Sequence, residues 1–236
     1  MVLTGSVQRL NGGPLRPGEL FDGAAWLDFA EGASATFRHA ESTREWTFVG
    51  PGRMRPCRGG DEQIAIASGR LKTSTGAGAR PGAEVLVFTP HGVLRYGDAT
   101  LDLTVDQRRL SVLPKIGQVW LETLEGKTAE LALPLGKAHV ATSKRPASLE
   151  QRCEALAQRA SELGTALTSG AKSGPELSSR AVEHMKARRE ARFACGAGES
   201  FAAGLEPPER GRLLDRLAEL EQRYRAFPKN QAAPNP

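Results

Sequence analysis

Three guanidinium groups fall within six residues at Arg53-Met54-Arg55-Pro56-Cys57-Arg58. Arg carries a planar fork of donors that suits two-point binding of a carboxylate or a phosphate. Gly59 and Gly60 follow, so the segment reads as loop-like. It is either a docking loop for an acidic partner or surface polymer, or a solvated turn. Trp26 and Trp120 join Arg53, Arg55 and Arg58 as candidate contact residues, because large aromatics anchor protein interfaces.

Other chemistry finds less support. The histidines are His39, His91, His139 and His184, and none has a His or Cys at metal-ligand spacing. No Gly-x-Ser-x-Gly elbow is present to carry a nucleophile. Two-carboxylate hydrolysis needs acids held at a defined separation across a cleft, which sequence spacing does not specify for pairs such as Asp102 and Asp106. Gly76-Ala77-Gly78 lacks the Lys-Ser/Thr and the helix onset of a phosphate loop. The expectation is a non-enzyme with no catalytic residue, no metal and no cofactor. Among the cysteines, Cys153 and Cys195 sit on predicted helices. An antiparallel arrangement could bring them together as a disulfide in an oxidising compartment, or they are two separate buried thiols. Cys57 is left over.

The elements that would position these residues change character along the chain. Of 26 Gly in 236 residues, 19 lie within residues 1–140. Nine of the 13 aromatics lie there too. Brief runs of alternating apolar and polar residues recur between turn signals: 24–29, 33–38, 45–49, 63–67, 83–88, 100–105, 109–113, 118–122 and 129–133. Such spacing argues for an all-β sandwich, barrel or stacked solenoid. Gly50-Pro51-Gly52 and Ser68-Gly69 read as strand ends, and residues 74–82 as a mobile loop.

After a junction near 143–147, the pattern turns helical. Ser148 with Gln151 fits a capping box, and Leu149, Cys153, Leu156, Ala160, Leu163 and Leu167 form one apolar stripe. Pro175 suits a first helical turn. The spacing predicts helices over about 148–168, 175–195 and 208–227, the second stopping at Gly196-Ala197-Gly198. The expected division is a β domain at 1–142, a helical segment at 143–228 and a disordered tail at 229–236. The helical stripes should pack on each other, on the β domain or on a partner.

Several pieces of the first 140 residues resemble the FecR domain family. Leu3-Thr4-Gly5-Ser6-Val7 is similar to its Gly-x-Val start, and Leu15-Arg16-Pro17-Gly18-Glu19-Leu20 to its Leu-x-x-Gly-Asp-x-Leu element. Ala33-Ser34-Ala35-Thr36-Phe37 stands where that family has Gly-Ser-Ala-x-Leu, and Gly69-Arg70-Leu71 where it has Gly-x-Leu/Val. Thr89-Pro90, then Gly97-Asp98 and Leu101-Asp102-Leu103, resemble its longest motif, with Gly92 in place of the usual Ala and Asp98 in place of the usual Thr. Gly117-Gln118-Val119 follows as a further Gly-x-Val. The resemblance implies a stacked, solenoid-like, non-catalytic extracytoplasmic β domain that works by protein contact. It implies envelope proteins as partners.

Charge and targeting leave two readings. The net charge is +5, with +1 in residues 1–143 and +4 in residues 144–236. Acidic residues interleave with the Arg of the helices, as in Glu183-His184-Met185-Lys186-Ala187-Arg188-Arg189-Glu190, which disfavours a nucleic-acid stripe. No run approaches the roughly 18 apolar residues of a membrane helix, so the chain as written does not span a membrane. Met1 is followed by no charged and apolar leader, which taken literally means cytoplasm. The resemblance instead implies periplasm or cell envelope, with a signal segment missing from this chain. The expected function is an envelope interaction module for scaffolding or signalling. The alternative is a cytoplasmic binder of nucleic acid or anionic polymer through the Arg-rich helices.

Overall fold

A computed structural model describes residues 2–10, 12–19, 23–38, 44–58, 62–74, 84–123, 130–142, 148–170 and 175–225. The expected loop at 74–82 falls, after Ser74, outside the described residues, as do the junction at 143–147, the tail at 229–236 and His39. Among the described residues thirteen strands come first: β1 (Val2–Thr4), β2 (Val7–Arg9), β3 (Leu27–Phe29), β4 (Ser34–Arg38), β5 (Glu45–Arg55), β6 (Gln63–Ser74), β7 (Val85–Thr89), β8 (Gly92–Tyr96), β9 (Thr100–Val105), β10 (Leu110–Ile116), β11 (Val119–Thr123), β12 (Glu130–Leu133) and β13 (His139–Ala141). Three helices follow: α1 (Ser148–Gly170), α2 (Pro175–Ala203) and α3 (Glu209–Arg225). The β domain followed by a helical segment is thus as the sequence predicts.

The strands form one sheet running β1-β4-β5-β6-β7-β8-β11-β12, with β2, β3, β9, β10 and β13 branching from it. The implied solenoid is not what forms. A solenoid stacks repeated units that each contact only their neighbours. Here β6 and β7 pair in parallel, and the other described pairings are antiparallel. The cause is local: two residues, Pro90 and His91, join β7 to β8, and so short a connection can only reverse the chain. Thr89 locks that turn, its hydroxyl donating to the Gly92 carbonyl at 2.8 Å and accepting the His91 amide at 3.2 Å.

The long strands β5 and β6 correct two predicted strand ends. Neither Gly50-Pro51-Gly52 nor Ser68-Gly69 stops its strand; both strands bend there and continue. The β5–β6 register shifts between Val49 and Arg53. A Cβ on Gly52 would lie 2.2 Å from the Ser68 carbonyl oxygen. One on Gly69, whose φ is +117°, would lie 2.3 Å from the Phe48 ring. Only two glycines let the backbones approach this closely. The bend gives each strand two sets of neighbours. The first half of β5 pairs with β4 and its end with β3, while β6 pairs first with β7 and then with β9. The sheet therefore curls around one core containing Phe29, Phe48, Met54, Leu71, Leu101 and Leu121.

β7 is buried along its whole length, which period two explains. Val85 and Val87 face that core, while Leu86 and Phe88 face the helices. Ile64 and Ile66 on β6 divide in the same way from Ala65 and Ala67. Phe193 and Ala203 of α2 cover this second face together with Trp26 and Val93. On its other side α2 packs Ala187, Ala191, Ala194 and Ala202 against α1 and α3.

Buried on both sides, α2 runs through Gly196-Ala197-Gly198 to Ala203, past the predicted stop. These glycines make close contacts and do not cap the helix. A Cβ on Gly196 would lie 2.2 Å from Cδ1 of Phe88. Gly196→Ala should therefore lower stability by about 1–3 kcal/mol from overpacking, although Ala favours helix over Gly by about 1 kcal/mol. A urea midpoint at or above that of the parent would show that Phe88 can turn aside.

Candidate functional site: an arginine junction between sheet and helices

Arg53 and Arg55 lie two apart on β5 and share a face; Arg58 follows just after the strand. That face meets the C-terminal part of α2, where Glu199 is the carboxylate within a run of small residues. Arg58 Nε donates to Glu199 Oε2 at 2.5 Å, and Arg55 Nη1 pairs with Glu199 Oε1. Trp26 Nε1 donates to the same Oε1 at 3.2 Å. Arg58 Nη2 reaches Glu221 Oε1 on α3 at 3.0 Å, and its guanidinium lies over the Phe88 ring, 4.9 Å from the centroid. Arg58 is 1% exposed and Glu199 6%, so little water screens the pair.

Arg53 does something different. Its Nη1 donates to the carbonyls of Ala203 at 2.9 Å and Leu205 at 3.2 Å, and its Nε to Asp28 at 3.3 Å. The last turn of α2 has no basic residue of its own. A cation from the sheet thus meets the negative end of the helix dipole and its unpaired carbonyls.

Burial opposes ionisation of Glu199 more than any other single influence, yet Arg58 and Arg55 together overcome it and hold its carboxyl below the usual value. The junction is a permanently charged joint: donors from the sheet, acceptors from the helices. It fits coupling of two structural units by charge and shape. The segment is not the solvated turn that the sequence allows as one reading, since Arg58 is buried, and the carboxylate that Arg55 and Arg58 meet belongs to the chain itself.

Trp120 stands apart from this joint. It lies on β11 directly opposite Arg95 of β8, whose guanidinium sits 4.8 Å from the ring centroid. Cys153 and Cys195 are joined as a disulfide that ties α1 to α2, while Cys57 lies outside it. His91 is buried, its Nε2 2.7 Å from the Asp106 carbonyl oxygen. Asp102 pairs with Lys115 at 2.7 Å, and Asp106 accepts the amides of Arg108 and Arg109, so these two acids do not converge on a cleft. Among the described residues, no group of three His, Cys, Asp or Glu is placed to hold a metal. Glu199, Glu221 and the buried pair Arg44–Glu62 are the charged residues that sequence reasoning missed. One signal was available: a lone carboxylate inside Ala-Cys-Gly-Ala-Gly-Glu-Ser needs a cation if that run is buried.

No family model matches the chain, and no curated protein matches it. Two crystal structures of a candidate anti-sigma factor from Parabacteroides distasonis are similar to it, both at a TM-score of 0.42, with 12% and 11% identity. Each match covers 51% of this chain and 56% or 55% of the other. The chain therefore spans little more than half the length of those structures. No described helix is long and apolar enough to cross a membrane.

Proposed function

We propose that the chain is a non-catalytic protein-interaction module of the cell envelope, in which a FecR-like β domain carries a helical docking segment. The observation that carries this reading is the Cys153–Cys195 crosslink, with both residues at most 1% exposed. Disulfides of this kind persist in oxidising compartments and are rare in the cytosol. The order of FecR-like motifs through residues 1–140 supports the same location.

Contact with protein is supported by exposed apolar side chains near the end of the β domain. Ile116, Leu131, Leu135 and Val140 are each at least 44% exposed and lie on or beside β10, β12 and β13. Such side chains offer apolar area that a partner protein could cover. Among the arginines of the helices that suggest a nucleic-acid binder, Arg189 is already paired with Glu122, Arg216 with Glu154 and Glu219, and Arg225 with Glu221.

The test is the thiol state in the native host. Cells are quenched in acid, the protein is denatured, and a maleimide label is added with and without prior reduction. Cys153 and Cys195 are expected to label only after reduction, and crosslinking in intact cells to recover an envelope protein. Labelling of both without reduction, or crosslinks to cytosolic nucleoprotein, would overturn the reading.

A further inference from the structure

Four of the six large apolar side chains that stand exposed among the described residues lie in one stretch: Ile116 at 65%, Leu131 at 44%, Leu135 at 55% and Val140 at 54%. The Gly136 amide donates to the Pro114 carbonyl at 2.8 Å, which lays the turn before β13 along the end of β10 and brings Leu135 towards Ile116. β13 runs on from that turn, and among the described residues it pairs with β10 alone. Its other side is a free sheet edge. The hydrogen-bond pattern fixes what that edge presents. The Asp106 amide donates to the Arg109 carbonyl at 3.0 Å, so bonded and non-bonded pairs alternate from there, and Leu110 and Val112 turn their peptide groups away from β9. They meet Ala141 and His139 of β13. Val140, between these two, therefore aims its N–H and C=O outward, where no described residue meets them. Sheet edges are commonly blunted by Lys, Pro, a bulge or a covering segment. The Gln8–Pro14 bridge covers β2 in this way, and β12 runs into Pro134. β13 instead presents a valine.

We propose that this edge binds a second copy of the chain, β13 pairing antiparallel with β13 across a two-fold axis at Val140, so that one sheet continues through both copies. The proposal rests on the protein-contact reading of this surface and names its partner. An isologous contact requires a surface that complements itself. With Val140 opposite Val140 of the second copy, the outward N–H and C=O of each meet the C=O and N–H of the other. His139 then stands opposite Ala141, and Ala138 opposite Thr142, so no like charges oppose each other along the pairing. The two valine side chains fall on one face and cover each other. An edge of three residues is short, so the expected dissociation constant is on the order of 10 µM.

Sedimentation equilibrium of the full chain over a range of concentrations tests this. A monomer–dimer equilibrium is expected, with hydrogen exchange at the Val140 amide slowing as the dimer forms. Val140→Pro deletes the outward N–H and spares the ladder to β10, in which that amide takes no part. Each copy loses one donor, so the dissociation constant should rise about tenfold or more, while the melting temperature of dilute protein stays close to that of the parent. Val140→Lys keeps the amide but sets two like charges side by side, and should weaken the dimer at least as much. Val182→Lys, at a valine of similar exposure on α2, should leave the dimer unchanged. A monomer at every concentration would overturn the proposal. So would a dimer that both Val140 variants leave intact, or one that Val182→Lys weakens equally. A monomeric chain with oxidised thiols in cells would remove the dimer and leave the envelope reading standing. A dimer with the expected sensitivities and reduced thiols would do the reverse.

Discussion

Glu199→Ala is expected to destabilise the protein by about 3–5 kcal/mol, because it leaves Arg58 charged and buried without its main partner. It also removes the acceptor of Arg55 and of the Trp26 indole, so one substitution strips three donors contributed by the sheet. Arg58 cannot escape by losing its proton, since a guanidinium keeps its charge in proteins and Glu221 still lies beside it. Chemical denaturation of parent and variant measures the loss. Replacing Arg55, Arg58 and Glu199 together by apolar residues should cost much less, as an apolar joint has no charge to desolvate. A triple variant as unstable as Glu199→Ala would show that the guanidinium geometry itself is required.

The same pair sets a pH dependence. The Glu199 carboxyl is held below its usual value of 4.5 in the folded chain. A depressed folded value contributes stability fully above the unfolded value and loses it as pH falls through the folded one. The stability difference between parent and Glu199→Ala should therefore be constant at neutral pH and shrink below about 4.5. A difference that grows on acidification would mean that the carboxyl is protonated in the native state. Glu122 works in the opposite sense: burial raises its carboxyl against the pull of Arg189, so it lowers stability slightly as pH rises past its usual value.

The second large effect is expected from the crosslink. Cys153 and Cys195 are 42 residues apart, for which the chain-entropy relation gives about 4 kcal/mol, within the usual loss of about 2–5 kcal/mol. Cys153→Ser/Cys195→Ser should show that loss in an equilibrium denaturation, and reduction of the parent should reproduce it. A loss below about 1 kcal/mol would mean that the alanine-rich contact of α1 with α2 holds the pair without the covalent tie. Cys195 and Glu199 lie one turn apart on α2, so the two defects should not add. Once α2 is loosened by one, the other has less structure left to disturb.

Much of the fold was legible locally. Alternation in 100–105 marks β9 to the residue, and Pro175 marks the start of α2. The bends of β5 and β6 were not legible, since a glycine that ends a strand and one that kinks it look alike in sequence. Gly52 and Gly69 differ from turn glycines only because they face each other across two strands. α2 was misjudged at Gly196 for a related reason: its glycines answer to Phe88 and Leu217, residues distant in the chain.

The candidate site divides along the same line. Residue types alone determined that Arg53, Arg55 and Arg58 suit a carboxylate or a phosphate, and that Cys153 and Cys195 could meet on antiparallel helices. Only the tertiary structure decided that the carboxylate is Glu199, 141 residues beyond Arg58, and that the arginines face inward. Periodicity states which side chains share a face of a strand or helix. It cannot state what that face meets, because the partner is chosen by the burial of two apolar surfaces and the pairing of charges that close contact brings together.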